Sequence, residues 1–175
     1  MMQDNNINVE LRKLKGKDAP LMLEWMHDEN VIQNMGTDFR NKTVEDCIAF
    51  IENSAEDSDS VHRAIVDGED EYLGTVSLKN IDNGLAEFAI AIRRKAMGTG
   101  ASRLAMQQII TYGFEVLHLK RIYWCVSPLN KRAIRFYDKN GYQRIDSPNC
   151  VKGYTESQVN TFVWYAVNND NINGV

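Results

Sequence analysis

The chain has 175 residues with 43% hydrophobic content and a formal net charge of −4, giving a pI near 5.4. That length suits one compact domain, spanning 1–175, with room for a sizeable core. The acidic balance speaks against nucleic-acid binding, which shows a strongly basic face, and no apolar run approaches membrane-spanning length.

In chain order, Asn8–Leu14 reads as a strand. Asp18 is expected to cap a helix through about Met26, with Pro20 in its first turn. A short helical piece is expected at Val31–Met35. Thr43 with Asp46 starts a helix through Glu52, a capping box with Asp in the Glu place. Val61–Val66 and Tyr72–Leu78 read as strands joined by Asp67-Gly68-Glu69-Asp70. Asp82-Asn83-Gly84 turns the chain into a strand at Leu85–Ile92. A long helix over Gly100–Leu117, a strand at Arg121–Val126 and a helix over Asn130–Asn140 follow. The last expectations are strands at Tyr142–Ile145 and Asn160–Val167, with 146–160 between them as a loop and a frayed polar tail from Asn168.

The segment Ile92-Arg93-Arg94-Lys95-Ala96-Met97-Gly98-Thr99-Gly100-Ala101-Ser102-Arg103 leaves an apolar strand through a basic turn and enters the long helix. Glycines at 98 and 100 let the backbone bend tightly and let a ligand come close to its amides. The first turn of a helix leaves amide donors open and carries partial positive charge, which suits phosphate. Arg93, Arg94 and Lys95 are expected to raise the potential further. A dinucleotide fingerprint fails here because Arg103 stands where a third glycine is needed, and no P-loop run exists.

Pro128 ends the strand Arg121–Val126, Asn130 is a good N-cap, and Gly141 closes the next helix. Asn130 and Tyr137 are separated by about 700° of helical rotation, so they share one face. His27, His62 and His118 lack metal-ligand spacing, and no metal site is expected. Cys47, Cys125 and Cys150 are odd in number, which argues against a disulfide framework. Cys125, in an apolar strand, reads as an inert buried thiol. The polar start Met1-Met2-Gln3-Asp4-Asn5-Asn6 has no signal-peptide core, so a cytoplasmic location is expected.

The glycine loop before a helix and the Asn130-x-x-Ala133-x-x-x-Tyr137-x-x-x-Gly141-Tyr142 helix together resemble the GNAT superfamily of N-acetyltransferases. The nearest branch acetylates ribosomal-protein N-termini, polyamines and related amines. The loop pattern of that family, Gln/Arg-x-x-Gly-x-Gly/Ala, falls on Met97, Gly100 and Ser102, so Met97 and Ser102 depart from it. The resemblance implies an α/β fold: a mixed, mostly antiparallel sheet of about seven strands flanked by about four helices. It implies acetyl-CoA as donor, with its pyrophosphate on Gly98, Thr99, Gly100, Ala101, Ser102 and Arg103. The pantetheine arm would lie along Ile90, Ala91 and Ile92, with Asn130 and Arg132 also on the cofactor. Tyr137 would protonate the departing thiolate, and Glu87 would anchor or deprotonate the acceptor. The acceptor is a small amine or a protein N-terminus, with Trp25, His27, Asp28, Met35 and the 146–160 segment around it. A homodimer is compatible with this reading. A non-catalytic acyl-CoA-binding module of the same fold is the alternative.

Overall fold

A computed structural model describes residues 7–149 and 151–171, and Cys150 lies outside them. The strands are β1 Glu10–Arg12, β2 Val61–Val66, β3 Tyr72–Asp82, β4 Leu85–Ile92, β5 Arg121–Val126, β6 Gln143–Ile145 and β7 Val163–Asn168. The helices are α1 Ala19–Met26, α2 Glu29–Ile32, α3 Val44–Ser54, α4 Ala101–Glu115, α5 Lys131–Lys139 and α6 Glu156–Thr161. The strands form one sheet in the order β1-β2-β3-β4-β5-β7-β6. All neighbours are antiparallel except β4 and β5, which run parallel. The expected mixed, mostly antiparallel sheet of seven strands is present, with six α-helices among the described residues rather than about four.

Local chemistry explains most boundaries. Asn83 (φ 49°) and Gly84 (φ 79°) are both left-handed, as the tight turn between β3 and β4 requires. In the β2–β3 turn, Asp67 Oδ1 accepts from the amides of Glu69 and Glu71 at 2.9 and 3.0 Å. The Thr43–Asp46 capping box forms as expected and starts α3. Gly141 (φ 79°) ends the α5 segment in the left-handed conformation.

Four expectations need correction. The short helix lies at Glu29–Ile32 instead of Val31–Met35, and Asn168 closes β7 instead of opening a frayed tail. Asp18 does not cap α1 with its side chain. Its carboxylate accepts from Arg12 at 2.8 Å through each oxygen, and from the Lys15 amide at 2.8 Å, tying β1 to the helix entry. The fourth concerns 156–161, expected as loop and strand but folded as α6. Thr155 and Gln158 cap it reciprocally, at 3.1 and 2.9 Å, and Val159 is its buried residue. The Thr155-x-x-Gln158 pattern is itself a capping-box signal in the sequence, one that the expectation of a loop over 146–160 leaves out.

The sheet has an apolar core on each face. Val76, Leu78, Phe88 and Ile92 pack with Ala105, Met106 and Ile109 of α4 and with Tyr137 of α5. On the other face Met22, Trp25 and Met26 of α1 and Cys47 and Ile51 of α3 cover Ala64, Val66 and Tyr72. Full burial of each such large side chain stabilises by about 1.5–3 kcal/mol. β4 and β5 pair only at Leu85↔Arg121, Ala86↔Ile122 and Glu87↔Tyr123. β4 stays paired to β3 as far as Ile92, and β5 to β7 as far as Val126. The two middle strands therefore part after Glu87, and the sheet opens as a wedge.

Candidate active site

A cavity of about 970 Å³ fills this wedge and continues across the α1–α3 face of the sheet. Its volume falls in the range typical of small-molecule sites. Residues 88–92 form one wall and Trp124, Cys125 and Val126 another. Because β4 has lost its β5 partner there, alternate amides and carbonyls of 88–92 face the cavity instead of a strand.

At one end stand Met97, Gly98 and Ser102 of the loop, with Asn130, Arg132 and Tyr137 of α5 opposite. Gly98 (φ 76°) and Gly100 (φ 90°) are left-handed, and a Cβ on Gly98 would have no atom within 4 Å. Among the described residues the amides of Gly98, Gly100, Ser102 and Arg103 reach no protein acceptor. The Thr99 amide leans on Ala96 O at 3.4 Å, and the Ala101 amide on Thr99 Oγ1 at 3.3 Å. The loop thus presents four open donors at a helix start, an anion-binding arrangement. Thr99, Gly100, Ala101 and Arg103 flank the cavity rather than line it, whereas Gly98 and Ser102 line it.

The basic run before the loop is a different matter. Arg93 is buried and bonds Glu24 through two nitrogens at 2.9 Å each, Glu71 at 2.6 Å and Tyr72 O at 2.9 Å. Lys95 pairs with Glu71 at 2.5 Å. These charges are neutralised and brace the turn, so the expected potential at the loop falls to Arg94, Arg103 and Arg132, which carry no ion pair among the described residues. Arg132 Nη1 sits 2.8 Å from Met97 Sδ at the cavity edge.

Asn130 caps α5 by accepting from the Ala133 amide at 3.1 Å, which leaves its amide nitrogen for a ligand. Tyr137 lines the same cavity, as the shared helix face required. Its ring is held against Trp124 and Tyr165, with centroids 5.3 and 5.2 Å away. Burial pushes its phenol well above the ordinary range, helped by Tyr142, Tyr165 and Cys125, and no hydrogen bond contributes.

At the other end the sheet provides a polar floor of Thr75, Ser77, Lys79 and Glu87 beneath Trp25, Met35, Phe39 and Phe50. Glu87 is buried and accepts from the Tyr154 hydroxyl and from Asn80 Nδ2 at 3.1 Å, with Lys79 Nζ 3.7 Å away. Burial raises the Tyr154 phenol strongly, and its bond to Glu87 adds to this. The Cys125 thiol, half-buried on the cavity wall, is pushed up to about 11 by burial, so it stays protonated and inert at neutral pH. His62 lines the floor too, with Nδ1 2.7 Å from Ser77 Oγ and its ring against Phe50 at 4.9 Å. Burial lowers its pKa.

Trp25, Met35, Lys152, Gly153, Tyr154 and Gln158 line this end of the cavity, but His27 and Asp28 do not. His27 Nε2 contacts Lys42 O at 2.9 Å, and Asp28 caps α2 through the Asn30 amide at 3.0 Å. Both point elsewhere because each serves a local backbone need. Ser77, Lys79, His62 and Tyr154 escaped the sequence reading. The first two carried a signal, since Thr75, Ser77 and Lys79 alternate with Val76 and Leu78 along β3. Tyr154 carried none: only folding brings it to Glu87, across 67 positions of sequence.

The acetyltransferase (GNAT) domain family matches residues 8–143. An uncharacterized N-acetyltransferase, p20 of Bacillus licheniformis, is 32% identical over 139 residues, covering 77% of this chain and 78% of that protein. The spermidine N(1)-acetyltransferase of Escherichia coli is 31% identical over 142 residues, covering 77% and 73%. The structure of the Vibrio cholerae spermidine N-acetyltransferase in complex with CoA and spermine shares the fold at a TM-score of 0.75 with 18% identity, covering 93% and 96%. The chain belongs to the GNAT acetyltransferase family and is an N-acetyltransferase.

Proposed function

We propose that the protein transfers the acetyl group of acetyl-CoA to a primary amine by direct attack, with no covalent enzyme intermediate. The observation that carries this reading is the pairing of four open loop amides with the hydroxyl of Tyr137, a buried side chain that lines the same wedge-shaped cavity. The amides of Gly98, Gly100, Ser102 and Arg103 would take the pyrophosphate. The unpaired edge of Ile90, Ala91 and Ile92 would hydrogen-bond the pantetheine arm, and an amide there would polarise the thioester carbonyl. Asn130 and Arg132 would complete the cofactor end.

The neutral amine bonds to the carbonyl carbon, the carbon–sulfur bond breaks, and sulfur leaves as thiolate. The proton that the acylated nitrogen sheds to solvent balances the one Tyr137 gives to sulfur and later regains. An alkyl ammonium is neutral only about once in 2,500 at pH 7, so a proton must first be removed from the amine. Tyr137 suits the opposite task. Burial keeps its phenol protonated at neutral pH, so it can donate to the thiolate. With a thiol near 8.5 and a phenol of at least 10, that transfer is uphill by about 2 kcal/mol or more, and we take it as concerted with bond cleavage. Glu87 would anchor the acceptor ammonium or pass its proton to water.

Tyr137→Phe tests the assignment. Turnover should fall roughly 10²–10⁴-fold while calorimetric affinity for acetyl-CoA changes little. Thiol release measured over an amine panel, spermidine included, reports activity, and near wild-type turnover in the variant would remove Tyr137 from the chemistry. Cofactor binding with no thiol release for any amine would instead indicate a binding module.

A further inference from the structure

We infer that the acceptor is an amine bearing an anionic group, a carboxylate or a phosphate, held by Lys79 and Lys152, rather than a polycation. This rests on the acetyltransferase reading above and narrows its acceptor. Among the described residues the charged side chains lining the cavity are Lys79, Glu87, Arg132 and Lys152. Arg132 lies at the cofactor end, which leaves two cations and one acid for the acceptor.

That acid is shared with protein donors and can face one ammonium group, not several. Glu87 accepts from Tyr154 and from Asn80 at 3.1 Å, and Lys79 stands at 3.7 Å. Other nearby carboxylates are taken up elsewhere: Glu24 and Glu71 by Arg93, Glu29 and Asp38 by Arg40, and Asp57 by the Asp59 amide beside His62. None of them lines the cavity. A polyamine would bring several ammonium groups into this space and meet two lysines with one shared carboxylate. Such like-charge juxtaposition is a rejecting element.

The lysines are placed to bind. Lys79 Nζ lies farther from Glu87 than a hydrogen bond, so its donors stay open to a ligand. Lys152 sits in the exposed turn that carries Tyr154 and makes no ion pair among the described residues. Glu87 and Lys79 are cross-strand partners. They lie three residues, or roughly 10 Å of strand, before Ile90, where the thioester would lie. The flexible four-carbon stems cover part of that gap. An acceptor with its anion a few bonds from its amine therefore spans the two ends. The hydroxyls of Ser60 and Thr37 and the amides of Asn34 and Gln158 also line the cavity and suit polar substituents better than methylene chains.

Thiol release from acetyl-CoA over spermidine, glucosamine, glucosamine 6-phosphate and the common α-amino acids tests this. A phosphate- or carboxylate-bearing amine should exceed spermidine and glucosamine in kcat/KM by roughly tenfold or more, and the two anionic arms tell phosphate from carboxylate. Lys79→Met and Lys152→Met should each lower kcat/KM for that amine by roughly ten- to a hundredfold, the usual loss of a charged hydrogen bond. Lys79→Arg should retain most of it, and acetyl-CoA calorimetry shows that each variant is folded. Spermidine as best acceptor, or equal use of charged and uncharged amino sugar, overturns the inference and leaves the transferase reading intact. Absence of release with every amine overturns both.

Discussion

The hydroxyl of Tyr154 donates to the carboxylate of Glu87, joining the turn before α6 to the middle of the sheet. Asn80 Nδ2 occupies the other oxygen at 3.1 Å. A carboxylate held this way orients more than it reacts. Glu87→Gln should therefore raise the acceptor KM roughly tenfold with kcat largely kept, and Tyr154→Phe should do the same. Steady-state kinetics with varied acceptor checks this. A large loss of kcat in Glu87→Gln, with disappearance of the acidic limb of the pH–rate profile, would make Glu87 the base instead.

At the loop, Gly98→Val should weaken acetyl-CoA at least roughly tenfold, because a side chain would stand where the ligand approaches the amides. The left-handed φ of 76° adds strain of about 1–3 kcal/mol, a moderate fall in Tm. Calorimetric titration and thermal melts separate the two effects. Full cofactor affinity in this variant would sink the phosphate-loop assignment.

Arg93 offers a contrast with its neighbours in sequence. Arg93→Ala should lower stability by about 2–3 kcal/mol, since it leaves Glu24 and Glu71 without their shared partner. Cofactor affinity should change much less than stability. Arg132→Ala, at the cavity edge, should show the reverse. Denaturant melts beside acetyl-CoA titrations read both. An Arg93 variant that loses cofactor but not stability would restore the simple electrostatic view of that basic run.

His62 gives the fold a pH dependence of known sign. Burial lowers its folded pKa below that of the unfolded chain, against the raising effect of Asp57, while Lys79 and Arg63 also lower it. Between those two values the unfolded state binds more protons, so stability falls as pH drops from about 6.5. The carboxylates lowered by their cation partners, Asp70 and Glu71, lose stability only at more acidic pH. Tm measured from pH 7.5 to 5.5 should fall in the wild type and flatten in His62→Gln. Equal slopes would exclude His62 as the source.

How much was legible before folding depended on the range of the forces involved. β4 and β5 were readable residue for residue, since alternation, turn glycines and proline are local signals. The same holds for the Asn130–Tyr137 face, because helical rotation puts two residues together whatever the helix packs on. Local signals failed where a local rule had a distant competitor. Asp18 looks like a cap until Arg12 claims its carboxylate, and Arg93 looks like a phosphate ligand until Glu24 and Glu71 neutralise it. The wedge itself has no sequence signature. It exists because β4 and β5 are each held by their outer partners to the full length of the strand, while their mutual pairing stops at Glu87 and Tyr123. Only that divergence, and the sheet face it exposes, brings His62, Ser77, Lys79, Glu87 and Tyr154 around one space. The charge in that space is a sum over Lys79, Glu87 and Lys152, drawn from three separate segments of the chain, and chain order alone carries no distances from which to compute it.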